Sequence, residues 1–268
     1  RPAPLRLRAV VLMTHDTPRE AVGPLVRQNW ADLSERLVKV LRLSTVPVAI
    51  SFADSPPPGV DRFDAPMPDA HEDGRQGRVP AGCVFWMHGA KRAFATVPED
   101  HGNCSVGSIT HGLLAPSEVV DHSDVAELVG AGWVGPDVLE QLPKVTGRPG
   151  SVVYAPLQDT PVEPDVVLLR VNARQLMVLS DALPGLSIGG KPQCHIVAMA
   201  KEHGVPAASV GCALSRQRTG MGPDEMTCAL PASQLDSIVA AVEKTSGIDA
   251  AVGRYAAEDA RRFAGLGS

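Results

Sequence analysis

Apolar positions along this chain fall into runs of two periods, and together they predict a mixed α/β fold. Trp30, Leu33, Leu37 and Leu41 recur every three or four residues among charged side chains, so an amphipathic helix is expected within 18–43. Thr45-Val46-Pro47 ends it, and the short β-prone run Val48 to Phe52 reads as a strand. Ser151 to Ala155 and Asp165 to Val171 are further strands, the second apolar enough to be covered on both faces. Met226 to Leu230 is a last one. Helices are expected over Cys83 to Ala95, with Gly89 a weak point, from Ser105 through Ile109 and His111, and over Asn172 to Leu183. Pro116-Ser117-Glu118 suits a helix start, because proline fits the first turn and glutamate its positive end, and this helix should run to Gly130. A short helix follows from Pro136 to about Pro143. Two alanine-rich C-terminal helices, Pro231 to Ser246 and Ile248 to Ala264, are expected to part at Gly247. Asp54 to Val79 collects prolines, glycines and charges without a period, and reads as a long loop whose charge run Asp69 to Arg78 is solvated or forms an entrance lid.

The order of features repeats, and the repeat is more informative than any single element. Cys83 aligns with Cys194, Ala90-Lys91 with Ala200-Lys201, Val97-Pro98 with Val205-Pro206 and Cys104 with Cys212. Gly112 then aligns with Gly220, Pro116 with Pro223 and Glu118 with Glu225. Each unit follows a strand, Val48 to Phe52 or Val166 to Val171. The expected architecture is therefore α/β, with α+β the alternative, made of duplicated strand-helix-turn-helix units about a pseudo-two-fold, with C-terminal helices. One domain would span 18–268 in two interlocked halves, about 18–143 and 144–268. Residues 1–17 read as a disordered tail, with Met13 a candidate initiator.

Such a two-fold would bring Cys83, Cys104, Cys194 and Cys212 together and leave Cys228 out, its counterpart falling near Asp121. The pairs span a helix and a turn, so they are not the C-x-x-C knuckle of a zinc ribbon. Four thiolates gathered from distant segments suit an iron-sulfur cluster, [4Fe-4S] first, provided backbone amides reach the sulfurs, which Gly102, Gly107 and Gly211 would allow. A cysteine at a helix start also has its thiolate favoured by the dipole. Zinc, or four thiols that simply pack a duplicated core, are the alternatives. His88, His101 and His111 have no histidine counterparts in the second half, so His88 or His111 is a candidate extra ligand or general acid and base. Arg216, four residues after Cys212, is the candidate cation for an anionic substrate, whereas Lys91 and Arg218 read as surface charges.

The run from Leu43-Ser-Thr-Val-Pro47 into Val48-Ala49-Ile50, then Cys83, Cys104 with Gly107, Asp165-Val166 with Gln175, Cys194, and Gly211-Cys212 with Arg216, resembles the domain of unknown function 169 family, the uncharacterised ArCR proteins. The resemblance covers about Asn29 to Val242. Trp86-Met87-His88 and Cys228 depart from what that family leads one to expect. The family implies no particular reaction.

Charge and composition narrow the function classes. A net charge of −5 offers no general basic face for nucleic acid. No apolar run reaches the length needed to cross a bilayer, and five cysteines without a secretory leader point to reduced thiols in the cytoplasm. The expectation is a cytoplasmic iron-sulfur enzyme, an oxidoreductase or lyase, acting on a small anionic molecule with an electron-transfer partner. The alternative is a non-catalytic module for a small ligand or partner, with structural zinc or no metal.

Overall fold

The structure, a computed structural model, describes residues 29–63, 82–102, 104–119 and 121–264. The expected tail, Met13, the start of the first predicted helix and the Asp69 to Arg78 run lie outside the described residues. Among the described residues no helix is long and apolar enough to cross a membrane.

The centre is a seven-stranded sheet made of β1 (Val48–Ala53), β2 (Phe94–Thr96), β3 (Ser151–Pro156), β4 (Val166–Asn172), β5 (Ser187–Gly189), β6 (Ala207–Ser209) and β7 (Glu225–Pro231). Their spatial order is β2-β3-β1-β4-β7-β6-β5. Every pairing is antiparallel except β5 with β6. Alternation along each strand sends side chains to two apolar layers. Leu169, Val171 and Leu230 enter one layer, while Val166, Leu168 and Ala229 enter the other.

The first layer is roofed by α1 (Trp30–Leu41), α6 (Ala173–Ala182) and α9 (Leu235–Arg262). The helix predicted from Trp30, Leu33, Leu37 and Leu41 is α1, which buries its leucines and starts where the Asn29 side chain accepts the Asp32 N–H at 3.2 Å. Asn172 and Gln175 cap α6 reciprocally, at 3.0 and 2.8 Å. The opposite layer carries α2 (Gly82–Gly89), α3 (Ser105–Thr110), α7 (His195–His203) and α8 (Ala213–Thr219). A smaller apolar cluster joins α3 to α4 (Ser123–Gly130) and α5 (Pro136–Gln141).

Four local expectations are corrected. The helix from Cys83 stops at Gly89, and Phe94–Thr96 becomes strand β2. Close packing is the reason: a Cβ on Gly89 would stand 2.9 Å from Val48 Cγ1 and 3.0 Å from Tyr154 Cβ, so the helix lies against the sheet there. Pro116–Glu118 makes only a 3-10 turn before α4 begins at Ser123. Gly247 does not divide the C-terminal helix, because one glycine costs an α-helix only about 1 kcal/mol and α9 runs through it. Val205-Pro206 precedes β6 whereas Val97-Pro98 follows β2, so those dipeptides are not equivalent in the sheet.

Gly89→Ala should destabilise the protein by about 1–3 kcal/mol, since the methyl group must displace backbone-anchored neighbours rather than a flexible tip. A denaturant midpoint within error of the parent would show that α2 can lift off the sheet.

Candidate functional site

Helix starts place the cysteines. Cys83 is the second residue of α2, and Cys104, Cys194 and Cys212 are the capping residues before α3, α7 and α8. Packing is crosswise, with α2 against α8 and α3 against α7, so each helix from one part of the chain meets one from the other. The consequence is that all four cysteines line a single cleft, together with Trp133, Gln193 and Arg218. It encloses about 410 Å³ of empty space, counting its open mouth. At the rim, the Lys191 ammonium sits 4.9 Å from the centre of the Trp133 ring. Cys228 is on β7 in the opposite apolar layer, beside Ala208, and takes no part.

The sulfurs are approached by donors in a repeated manner. The Ser215 N–H donates to Cys212 Sγ at 3.4 Å, and the Gly107 N–H, likewise three residues after its cysteine, donates to Cys104. A Cβ at Gly107 would lie in ordinary contact with the Cys104 sulfur, at 3.5 Å, so this approach does not depend on glycine. The Thr110 hydroxyl is within hydrogen-bond reach of Cys194. These contacts favour thiolates, but burial opposes them more strongly. Burial pushes the Cys83 thiol up to about 12, helped by neighbouring Cys104 and opposed by Arg218. The Cys104 and Cys194 thiols are raised mainly by burial too. For Cys83, Cys104 and Cys194 the expected gain from helix starts is therefore outweighed, and these three stay neutral thiols unless a cation joins them.

Arg218 is the residue that spacing placed on the surface and the fold brings inside. It hydrogen-bonds Cys104, lowers both Cys83 and Cys104, and keeps a buried Nη1 without a hydrogen-bond partner. Arg216 is instead spent on the backbone, donating to the carbonyls of Val210, Gly222 and Glu225 at 2.5 to 3.0 Å. The i,i+4 relation itself holds, the Arg216 N–H donating to the Cys212 carbonyl at 3.0 Å, but the side chain turns away to those carbonyls.

The two candidate histidines are not at the cleft lining. His88, in the last turn of α2, packs edge-on to Phe63 with ring centres 5.4 Å apart, and burial with Lys91 and Arg92 holds its pKa down. His111 is completely buried, bonded through Nδ1 to the Gly107 carbonyl at 2.9 Å. It faces His101, with ring centres 5.8 Å apart. Thr96 Oγ1 donates to the Val152 carbonyl, so it accepts from His101 Nε2–H at 2.9 Å. Both rings are thus neutral, and His101 Nδ1 and His111 Nε2 have no partner. Gly82, next to Cys83, gives them space, since a Cβ there would stand 3.4 Å from His111 Nε2. Tyr154 adds a buried, unpartnered hydroxyl whose pKa is raised by burial and by Cys83 and Cys194. Only the period of β3 could have pointed to it.

Among the described residues, no three His, Cys, Asp or Glu side chains are gathered closely enough to hold a single metal ion. What the cleft presents is four cysteines with one half-buried arginine, Arg218, whose Nη1 is sealed from solvent.

Comparison with known families places the chain: a model of the domain of unknown function 169 family, described as uncharacterised ArCR, matches residues 36–241. The protein belongs to this family. No curated protein and no solved structure matches it.

Burial drives the His111 pKa down from 6.5 to about 4. Between those values the unfolded chain binds the proton that the native ring refuses, so stability is fully present above pH 6.5 and falls as pH drops towards 4. Urea midpoints across that window should fall less for His111→Phe than for the parent protein; equal falls would remove His111 from this linkage.

Proposed function

We propose that this protein is an internal duplication that binds an iron-sulfur cluster, [4Fe-4S] in the first instance, through Cys83, Cys104, Cys194 and Cys212. The carrying observation is that four cysteines from four helix starts line one cleft. The strand order supports duplication, because β2-β3-β1 on one side is matched by β6-β7-β4 on the other, across an antiparallel β1–β4 pair. Register supports it as well: Ala95 faces Val153 as Ala208 faces Cys228, which makes Val153 the counterpart of Cys228 in place of a residue near Asp121. The paired amide donors at Gly107 and Ser215 have the same relation to their cysteines.

The donor set fits such a group. Soft thiolates select iron-sulfur or zinc over hard cations. Arg218 offsets the negative charge that four thiolates would bring into a buried cleft. When bound, a cluster supplies one-electron transfer or a Lewis-acidic iron. On this reading the protein is an oxidoreductase or lyase of a reducing compartment, with a small anionic substrate entering past Trp133 towards Arg218 and an electron-transfer partner outside.

Anaerobically purified or reconstituted protein should be brown and carry about four irons and four sulfides. Cys104→Ser and Cys212→Ser should each lose most of the iron while Cys228→Ser keeps it. Colourless protein holding one zinc would replace the cluster with a structural metal, and metal-free, folded protein after reconstitution would overturn both.

A further inference from the structure

Helix α9 is held by the fold along only part of its length. Its start is fixed by Leu235, Ile238, Val239 and Val242, which are buried in the layer shared with α1 and α6. Beyond Ser246 that support ends, and every residue from Ala250 to Glu258 is exposed. Eight large hydrophobic side chains are exposed among the described residues, and four of them, Ile248, Val252, Tyr255 and Phe263, belong to this one stretch. A lone helix of such length carrying Gly247 and Gly253 is marginal in water, so this half of α9 gains from a surface to pack on.

The exposed apolar side chains are ordered. Ser246, Ala250 and Gly253 line a groove against α1 and α6. On the other side of the helix, Lys244, Ile248, Val252, Tyr255 and Asp259 follow one another every three or four residues and make a single stripe. It opens on a cation, continues through three apolar side chains and closes on an anion. A stripe with unlike ends is complementary to its own reverse. When two copies lie antiparallel about a point between Ala251 and Val252, Lys244 of one faces Asp259 of the other, Ile248 faces Tyr255 and Val252 faces Ala251, each contact made twice by symmetry. A parallel pair would instead set each of these charges against its own copy. A lipid surface suits the stripe less well, because acidic and basic side chains are equal in number from 243 to 262, whereas helices that lie on membranes carry an excess of lysine and arginine.

We infer that the outer half of α9 is a self-association surface, through which two copies of this chain pair as an antiparallel helical dimer centred between Ala251 and Val252. The helix belongs to the layer on the opposite face of the sheet from the cysteine helices, so pairing leaves the cleft open. The dimer requires no metal and stands whether or not a cluster is present.

Analytical ultracentrifugation of the full chain, in reducing buffer so that disulfide-linked pairs do not contribute, should give twice the mass of one chain at high micromolar concentration and dissociation on dilution. Val252→Glu places like charges at the centre of the pair and should leave only monomer, with an unchanged circular dichroism spectrum as the check on folding. Lys244→Glu and Asp259→Lys each set like charges together at both ends, and each should weaken pairing at least about tenfold. The two combined restore unlike charges in the antiparallel register and should recover most of the affinity. A monomer at every concentration, a dimer untouched by Val252→Glu, or a double variant no stronger than either single one would overturn the assignment. So would binding of monomeric protein to phosphatidylcholine–phosphatidylserine vesicles that Val252→Glu abolishes, since the stripe would then be a lipid-binding face. Iron content is not part of this readout, so its outcome is independent of the cluster test.

Discussion

Four thiols drawn into one partly closed cleft impose the constraint on which the rest of the structure turns. Cys83, Cys104 and Cys194 are neutral by themselves, because burial raises the cost of their anions more than neighbouring donors lower it. The arrangement is therefore quiet in the absence of a cation and strongly charged in its presence. Donors near the sulfurs favour their anions: the amides of Gly107 and Ser215, and Arg218, which hydrogen-bonds Cys104. A core built only to pack four small apolar residues has no use for an arginine with one nitrogen sealed from water, whose desolvation is costly without an acceptor.

The sheet makes this convergence possible. Crosswise packing of α2 on α8 and α3 on α7 requires that their strands meet edge to edge at the centre, and the β1–β4 pair does that. Asp165, at the start of β4, fastens the junction by accepting the Phe52 N–H at 2.8 Å and the Lys201 ammonium at 3.1 Å. Strand, helix and site are thus tied by one carboxylate that belongs to neither cysteine pair.

Much of this was legible from residues because strong local signals coincide with burial. The leucine stripe of α1, the apolar run of β4 and the recurring cysteines each follow one period, and each lies where that period puts it. What escaped is whatever depends on contacts between distant segments. Phe94–Thr96 is too short to outweigh the helical run before it until β3 supplies its hydrogen bonds. Arg216 and Arg218 differ only in which of them the turn after α8 captures, and the carbonyls of Val210, Gly222 and Glu225 capture Arg216. His111 looked like a reactive group from its type, but its neighbours keep it neutral and inside.

Asymmetry between the halves then acquires a physical meaning. Around the first pair of cysteines the packing is aromatic and imidazole-rich, with Phe85, Trp86, His101, His111 and Tyr154 in mutual contact range. Around the second, Gln193, Ser215 and Arg218 make a polar wall. One side is stiff, dry and uncharged, and the other offers donors and a positive charge. An anion entering between two such walls is stabilised best near Arg218. If the halves began alike, it is this divergence of their linings, with the cysteines kept, that converts a symmetrical binding cleft into a site with a front and a back.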